Sequence, residues 1–276
     1  MCPSSAPLGI LAGAGDLPRR IAEARAAAGA PYLVVALDGF AGPWAAAHPH
    51  ARARITEVGA ILSALRGAGC REVVMAGGAA RPRLDPRALD GAALRWLPRL
   101  LPALARGDDA LLRTVRGLLE GEGFRLVAVE EVVDLRAPEG VLGARAPSEA
   151  DAADAARGEA VLRALGPLDV GQAAVVASGR VLGIETVQGT DAMLAFVAET
   201  RGALGQGAAG GVLVKRAKPG QDRALDAPTV GPGTVAAAAR AGLRGIAVEA
   251  GAVQVLDRGA VAAAADAAGL FVWARP

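Results

Sequence analysis

The chain has 276 residues, 53% of them apolar, and its 30 Lys and Arg against 28 Asp and Glu leave a formal charge of only +2. With the cations scattered, and only 3 Trp, 1 Tyr and 4 Phe, the composition excludes both the basic footprint and the stacking platforms of a nucleic-acid binder. The length suits two domains with sizeable cores, no segment approaches the roughly 20 uninterrupted apolar residues of a membrane span, and MCPSSAPLGILAGAG lacks the basic start of a signal peptide, so a cytoplasmic location is expected.

In chain order, LGILAG, LPRRIAEARAAAGA, YLVVALD, ITEVGAILSALRGAG and EVVMAGG alternate strand-like and helix-like patterns. That rhythm predicts parallel strands joined by right-handed crossovers. LDPRALDGAALRWLPRLLPALARG and DDALLRTVRGLLEGEG read as helices, with Gly107 ending one and Asp108 capping the next, and FRLVAVEEVV as a further strand. DLRAPEGVLGARAPS has neither period and reads as a linker. The expected organisation is a Rossmann-like α/β domain over 1–134, a linker over 135–148 and a C-terminal α/β domain with a mixed sheet over 149–276.

Beyond the linker, Ser148 and Asp151 form a capping-box pattern ahead of a long helix, and AAVVASGRVLGIETV reads as a hairpin. TDAMLAFVAETRGAL reads as a helix capped by Thr190 or Asp191, GVLVK as a strand, GTVAAAARAGL as a helix and GIAVEAGAVQVLD as paired strands. A last helix and strand close the chain.

Four stretches could carry chemistry. Gly13, Gly15 and Asp16 follow the first strand and open a helix, with Asp38 ending the next strand, as in a dinucleotide fingerprint; Pro18 takes the third glycine's place. The turn therefore reads either as a tight strand-to-helix connection or as a phosphate site, with an NAD-dependent oxidoreductase or a non-catalytic nucleotide-sugar or lipid-binding protein as the alternative functions. Gly77, Gly78 and Arg81 follow another strand and either approach an anion or form a solvated loop. His48 and His50 lack metal-site spacing and read as a surface loop, and Cys2 and Cys70 suggest neither zinc nor a disulfide framework. In VKRAKPGQDRALDAPTVGPGTV, Lys215 and Lys218 stand before Gln221, Asp222 and Asp226. Lysines can hold phosphate oxygens while an aspartate binds a metal or positions water. A solvated connection is the other reading. Glu185, Asp191 and Glu249 add oxygen ligands of the kind that suits Mg²⁺, each of which could equally be a cap or surface group.

GILAGAGDLP, AGGAARP, RGDDALLR, DVGQAAVV with IETVQGTDAML, LVKRAKPGQD and DAPTVGPGTVAAAARAGLRGIAVEAG, in that order, resemble the UDP-2,3-diacylglucosamine pyrophosphatases of the LpxI type, which act in lipid A biosynthesis. The resemblance implies Mg²⁺-assisted attack of water on the β-phosphorus of the UDP-sugar lipid, releasing UMP and 2,3-diacylglucosamine 1-phosphate. It implies Asp226, Lys215 and Asp222 as catalytic residues and Asp226 and Asp191 as metal ligands. Substrate contacts fall on Gly13, Gly15, Asp16, Gly77, Arg81, Thr190, Asp191, Lys218, Gln221 and Thr229. It further implies a homodimer and peripheral association with the inner face of the inner membrane. Ala224, Ala227 and Gly78 depart from the family pattern, in which larger residues are usual.

Overall fold

A computed structural model describes residues 6–80, 89–204, 210–218 and 227–276. These fall into two compact units that divide after Asp134.

The first unit contains β1 (Leu8–Ala12), α1 (Leu17–Ala27), β2 (Tyr32–Leu37), β3 (His50–Ala53), α2 (Val58–Gly67), β4 (Glu72–Ala76), α3 (Gly91–Leu104), α4 (Asp108–Gly121), β5 (Arg125–Leu126) and the single turn α5 (Val129–Val132). Its five strands are all parallel, in the order β3-β2-β1-β4-β5. That is the doubly wound arrangement, whose strand order reverses between β1 and β4. Strands buried on both faces need continuous apolar runs, and Val34, Val35, Ala36 and Val73 are fully buried. Leu62, Leu65, Trp96, Leu118 and Leu119 from α2, α3 and α4 complete one side of the core. Trp96 is thus core, whereas Leu94 and Leu101 on the same helix are exposed.

Three expectations change here. His50 opens β3, whose short HARA pattern is too brief and polar to announce a strand, and the segment expected as one strand from Phe124 gives only β5 before turning into α5. Asp108 is the first residue of α4, and Gly107, at φ 116°, takes the N-cap position.

The second unit contains β6 (Gly140–Leu142), α6 (Glu149–Leu165), β7 (Ala173–Ala177), β8 (Arg180–Ile184), α7 (Gly189–Thr200), β9 (Val212–Lys215), β10 (Thr229–Val230), α8 (Pro232–Arg240), β11 (Gly245–Glu249), β12 (Gln254–Val255), α9 (Arg258–Ala268) and β13 (Phe271–Arg275). A six-stranded mixed sheet runs β6-β13-β11-β9-β7-β8, with β13, β11 and β9 parallel, β7 antiparallel to β9, and β8 antiparallel to β7. Residues 135–148 supply β6, which pairs antiparallel with β13. The run read as paired strands from Gly245 splits between two sheets: β11 lies in the large one, while β12 pairs in parallel with β10. A turn at positive φ through Gly251 redirects the chain between them.

The predicted box at α6 forms, Ser148 Oγ accepting from Asp151 N at 3.3 Å and Asp151 Oδ2 accepting from Ser148 N at 2.9 Å. Gly158 lets α6 press onto β9: a Cβ there would lie 2.5 Å from Val214 Cγ2. The strand that ends in Lys215 is therefore held from its flank as well as its edges.

Candidate active site

The first unit's candidate phosphate turn lies at the carboxyl edges of β1 and β4. Ala14 and Gly78 form a bridge, Ala14 N donating to Gly78 O at 2.7 Å and Gly78 N to Ala14 O at 3.1 Å. The two loops approach so closely that a Cβ on Gly13 would lie 2.5 Å from Gly78 O, and one on Gly77 2.3 Å from Ala14 O. Gly77, at φ 82°, also needs glycine's freedom. Gly13 and Gly77 are thus required by the contact of one loop with the other. Gly15 differs: its φ is 91°, and the space where a Cβ would stand is open. Asp16 sits at the N-cap of α1 without a capping bond and pairs with Arg19 at 3.3 Å, while Asp38 accepts from Arg52 Nε at 3.0 Å. The aspartate that a dinucleotide site would offer to a ribose is here engaged by a cation.

The second unit gathers a different set at the carboxyl ends of β9 and β11. Lys215, the last residue of β9, is only 9% exposed, and its Nζ donates to Thr190 Oγ1 at 2.9 Å. Thr190 Oγ1 in turn donates to Glu185 Oε1 at 2.9 Å, and Glu185 Oε2 accepts from Gln172 N at 3.1 Å. One hydroxyl relays between a buried ammonium and a carboxylate, so that the lysine is held in place without a direct ion pair to Glu185. This corrects the expectation that Thr190 or Asp191 caps α7. Gln188 holds the N-cap position with no side-chain cap, because Thr190 is spent on Lys215 and Glu185.

The chain leaving β9 is tethered on both sides. Glu249, at the end of β11, accepts from Arg216 at 3.2 Å and from Ala217 N at 3.0 Å. Lys218 pairs with Asp169 of the loop before β7. In that loop Gly171 has φ 57°, and a Cβ there would collide with Glu185 O at 2.0 Å, so glycine alone allows Gln172 N to reach the Glu185 carboxylate. Asp169, Gly171 and Gln172 were missed as site residues by sequence reasoning. The Asp-Val-Gly-Gln stretch was visible there, but as the entry to a strand.

Thr229 lies beyond the loop's far end in β10, its Oγ1 donating to Ala227 O at 3.0 Å. Gln221, Asp222 and Asp226, like Arg81, lie outside the described residues. Asp191 is exposed in the first turn of α7, without a hydrogen bond or ion pair among the described residues, and lines a surface cavity of ≈ 390 Å³ with Leu194, Ala198, Ala237 and Arg240. Glu185, Asp169 and Glu249 are engaged by partners, and no cluster of three or more His, Cys, Asp or Glu side chains suited to a metal forms among the described residues. Nor is any helix among them long and apolar enough to cross a membrane.

The sequence model of the LpxI N-terminal domain matches residues 7–135, and that of the LpxI C-terminal domain matches residues 138–273. The chain is also 45% identical over 269 residues to the UDP-2,3-diacylglucosamine pyrophosphatase LpxI of Caulobacter vibrioides, covering 96% of each protein. By these two domain matches and an identity that spans nearly its whole length, the chain belongs to the LpxI family.

Proposed function

We propose that this protein hydrolyses the pyrophosphate of UDP-2,3-diacylglucosamine to UMP and 2,3-diacylglucosamine 1-phosphate, a step in lipid A synthesis, with the second unit as its catalytic domain. The observation that carries the reading is the buried Lys215, held by Thr190 and Glu185 at the end of β9, in a chain 45% identical to a pyrophosphatase across 96% of its length.

A pyrophosphate is strongly anionic, so its hydrolysis needs charge neutralisation and an ordered water more than a covalent nucleophile. Lys215 supplies a cation already fixed in direction, because its ammonium is bonded to Thr190 before any ligand arrives. Lys218 and Gln221 hold phosphate or sugar oxygens, and Gly15, Asp16, Arg81 and Thr229 complete the substrate contacts. Asp226 and Asp222 order the attacking water. The oxygen of that water bonds to the β-phosphorus as its proton passes to solvent, the bond from this phosphorus to the bridging oxygen breaks, and the electron pair departs with UMP.

The donor chemistry fits Mg²⁺, which binds hard oxygen ligands and is commonly held by one or two protein carboxylates plus substrate phosphates. Asp191 offers an exposed carboxylate with no competing partner among the described residues, and Asp226 is the second ligand of this reading. Bound there, the ion would offset charge on the pyrophosphate oxygens. A homodimer with peripheral inner-membrane association completes the proposal, since a diacylated substrate resides in a bilayer.

The test is UMP release from UDP-2,3-diacylglucosamine with Mg²⁺ and with EDTA, beside Asp226→Asn. Metal-dependent release that the variant loses is expected. Full hydrolysis by a folded Asp226→Asn would remove Asp226 from the mechanism, and a folded wild type that releases no UMP would overturn the reading.

A further inference from the structure

In the second unit β12 is the middle of a three-stranded ribbon. β10 lies along one side of it, with Thr229 opposite Gln254 and Val230 opposite Val255. Along the other side, residues 135–137 run antiparallel: Arg136 bridges Gln254, Ala137 N donates to Val253 O at 2.8 Å and Val255 N to Leu135 O at 2.6 Å. Side chains alternate between the two faces of such a ribbon, and directly paired residues share a face. Ala137, Val230, Val253 and Val255 all enter the hydrophobic core. Arg136, Gln254 and Thr229 therefore stand side by side on the opposite face, a guanidinium, an amide and a hydroxyl in one row.

Gln254 is the anomaly of that row. It is 2% exposed, and neither Nε2 nor Oε1 has a hydrogen-bond partner among the described residues. Its backbone is satisfied, the N–H donating to Pro228 O at 2.8 Å, so the unmet demand belongs to the side chain alone. Burying an amide with donor and acceptor both unpaired is unfavourable, and an apolar side chain of similar volume would avoid the penalty. Folding gives no reason for glutamine here. A ligand that presents an acceptor beside a donor does.

We propose that the Arg136–Gln254–Thr229 row is a substrate-recognition surface in which the Gln254 amide reads a neighbouring N–H and C=O pair. The inference rests on the function proposed above and deepens it. The substrate carries such a pair twice, in the imide edge of uracil and in the N-acyl amide of the glucosamine. Thr229 joins this surface to the candidate loop, standing three residues after Asp226.

Titration calorimetry on the full chain separates the two sources. UMP is compared with CMP, whose base presents a different donor and acceptor pattern, and N-acetylglucosamine 1-phosphate with glucose 1-phosphate, which lacks the amide. Wild type is expected to prefer the first member of one pair by roughly tenfold, the worth of a well-made hydrogen bond to a buried group, and Gln254→Leu to erase that preference at an equal or higher melting temperature. Gln254→Met repeats the measurement if the leucine variant does not fold. No preference in wild type, a preference that survives substitution, or loss of fold in both variants would overturn the inference. Failure of the function itself shows separately, as a wild type that retains the binding preference but releases no UMP.

Discussion

The carboxyl edges of the two sheets solve opposite problems. In the first unit the loops after β1 and β4 close on one another: the Ala14–Gly78 bridge uses the backbone groups that a phosphate would otherwise find, and Gly13 and Gly77 are glycines so that two main chains can touch. In the second unit the ends of β9 and β11 carry charge instead, Lys215, Arg216, Lys218 and Glu249, and each charged side chain is tied to another segment. A glycine pattern is thus the same in sequence whether it leaves room for a ligand or for the neighbouring loop, and only the tertiary contact distinguishes them. A buried lysine at a strand end is less ambiguous, because the fold has no need of it.

The largest effect that could break this comparison lies in the first unit. Gly77→Ala forces a side chain into a positive φ and onto a backbone oxygen 2.3 Å away, neither of which can yield cheaply. Destabilisation of roughly 3–5 kcal/mol is expected from strain plus overlap, measured by chemical denaturation. A silent substitution would mean that the two loops do not meet, and would return these glycines to the phosphate reading. Next, Lys215→Met should lower the rate of UMP release by about 100-fold, in the range for removal of one electrostatic contact to a reacting anion, while leaving the fold intact. If the variant instead unfolds while Gly77→Ala stays stable and loses activity, the roles assigned to the two edges are exchanged.

A smaller effect sharpens the account of how Lys215 is held. Thr190→Val keeps the volume but removes the hydroxyl between Lys215 and Glu185. A loss of about 1–3 kcal/mol in stability is expected, because two partly or fully buried charged groups each lose a partner. The rate should fall less than for Lys215→Met, since the cation remains and loses only the hydroxyl that helps to aim it. An equal fall in both variants would place Thr190 itself in contact with substrate.

The sequence made the alternation of the first unit legible because strands buried on both faces must be apolar and helices must be amphipathic. It also marked the charged stretch from Lys215, where cations and carboxylates between an apolar strand and a helix have few structural uses. It could not reveal β12. Gln254 and Val255 follow β11 after a short turn and look like a returning partner strand, and only the positive-φ turn at Gly251 sends them to β10 and residues 135–137. Thr190 illustrates the other limit. A threonine at a helix start carries the local signature of a cap, and whether it caps depends on a lysine 25 residues away. Asp169 was hidden for the same reason, its partner Lys218 being 49 residues distant.

The smallest effect concerns pH and keeps the two units apart. Glu122, at the end of α4, accepts a hydrogen bond from Arg66 of α2, and this bond holds its carboxyl below the usual value of 4.5. The sign follows from linkage: a carboxyl whose folded pKa is depressed contributes stability that is fully present above the unfolded value and is lost as pH falls through the folded one. The first unit should therefore lose this contribution as pH drops below about 4.5, and Glu122→Gln should flatten the dependence. Arg66 is half exposed, which keeps the effect within the roughly 0–1 kcal/mol of surface pairs. The melting temperature measured across that range reads it. At neutral pH the same variant should hydrolyse at the wild-type rate, because this pair joins α2 to the end of α4 inside the first unit. A variant that instead changed hydrolysis without changing the melting curve would mean that the Arg66–Glu122 pair acts on the substrate beyond the contacts assigned above.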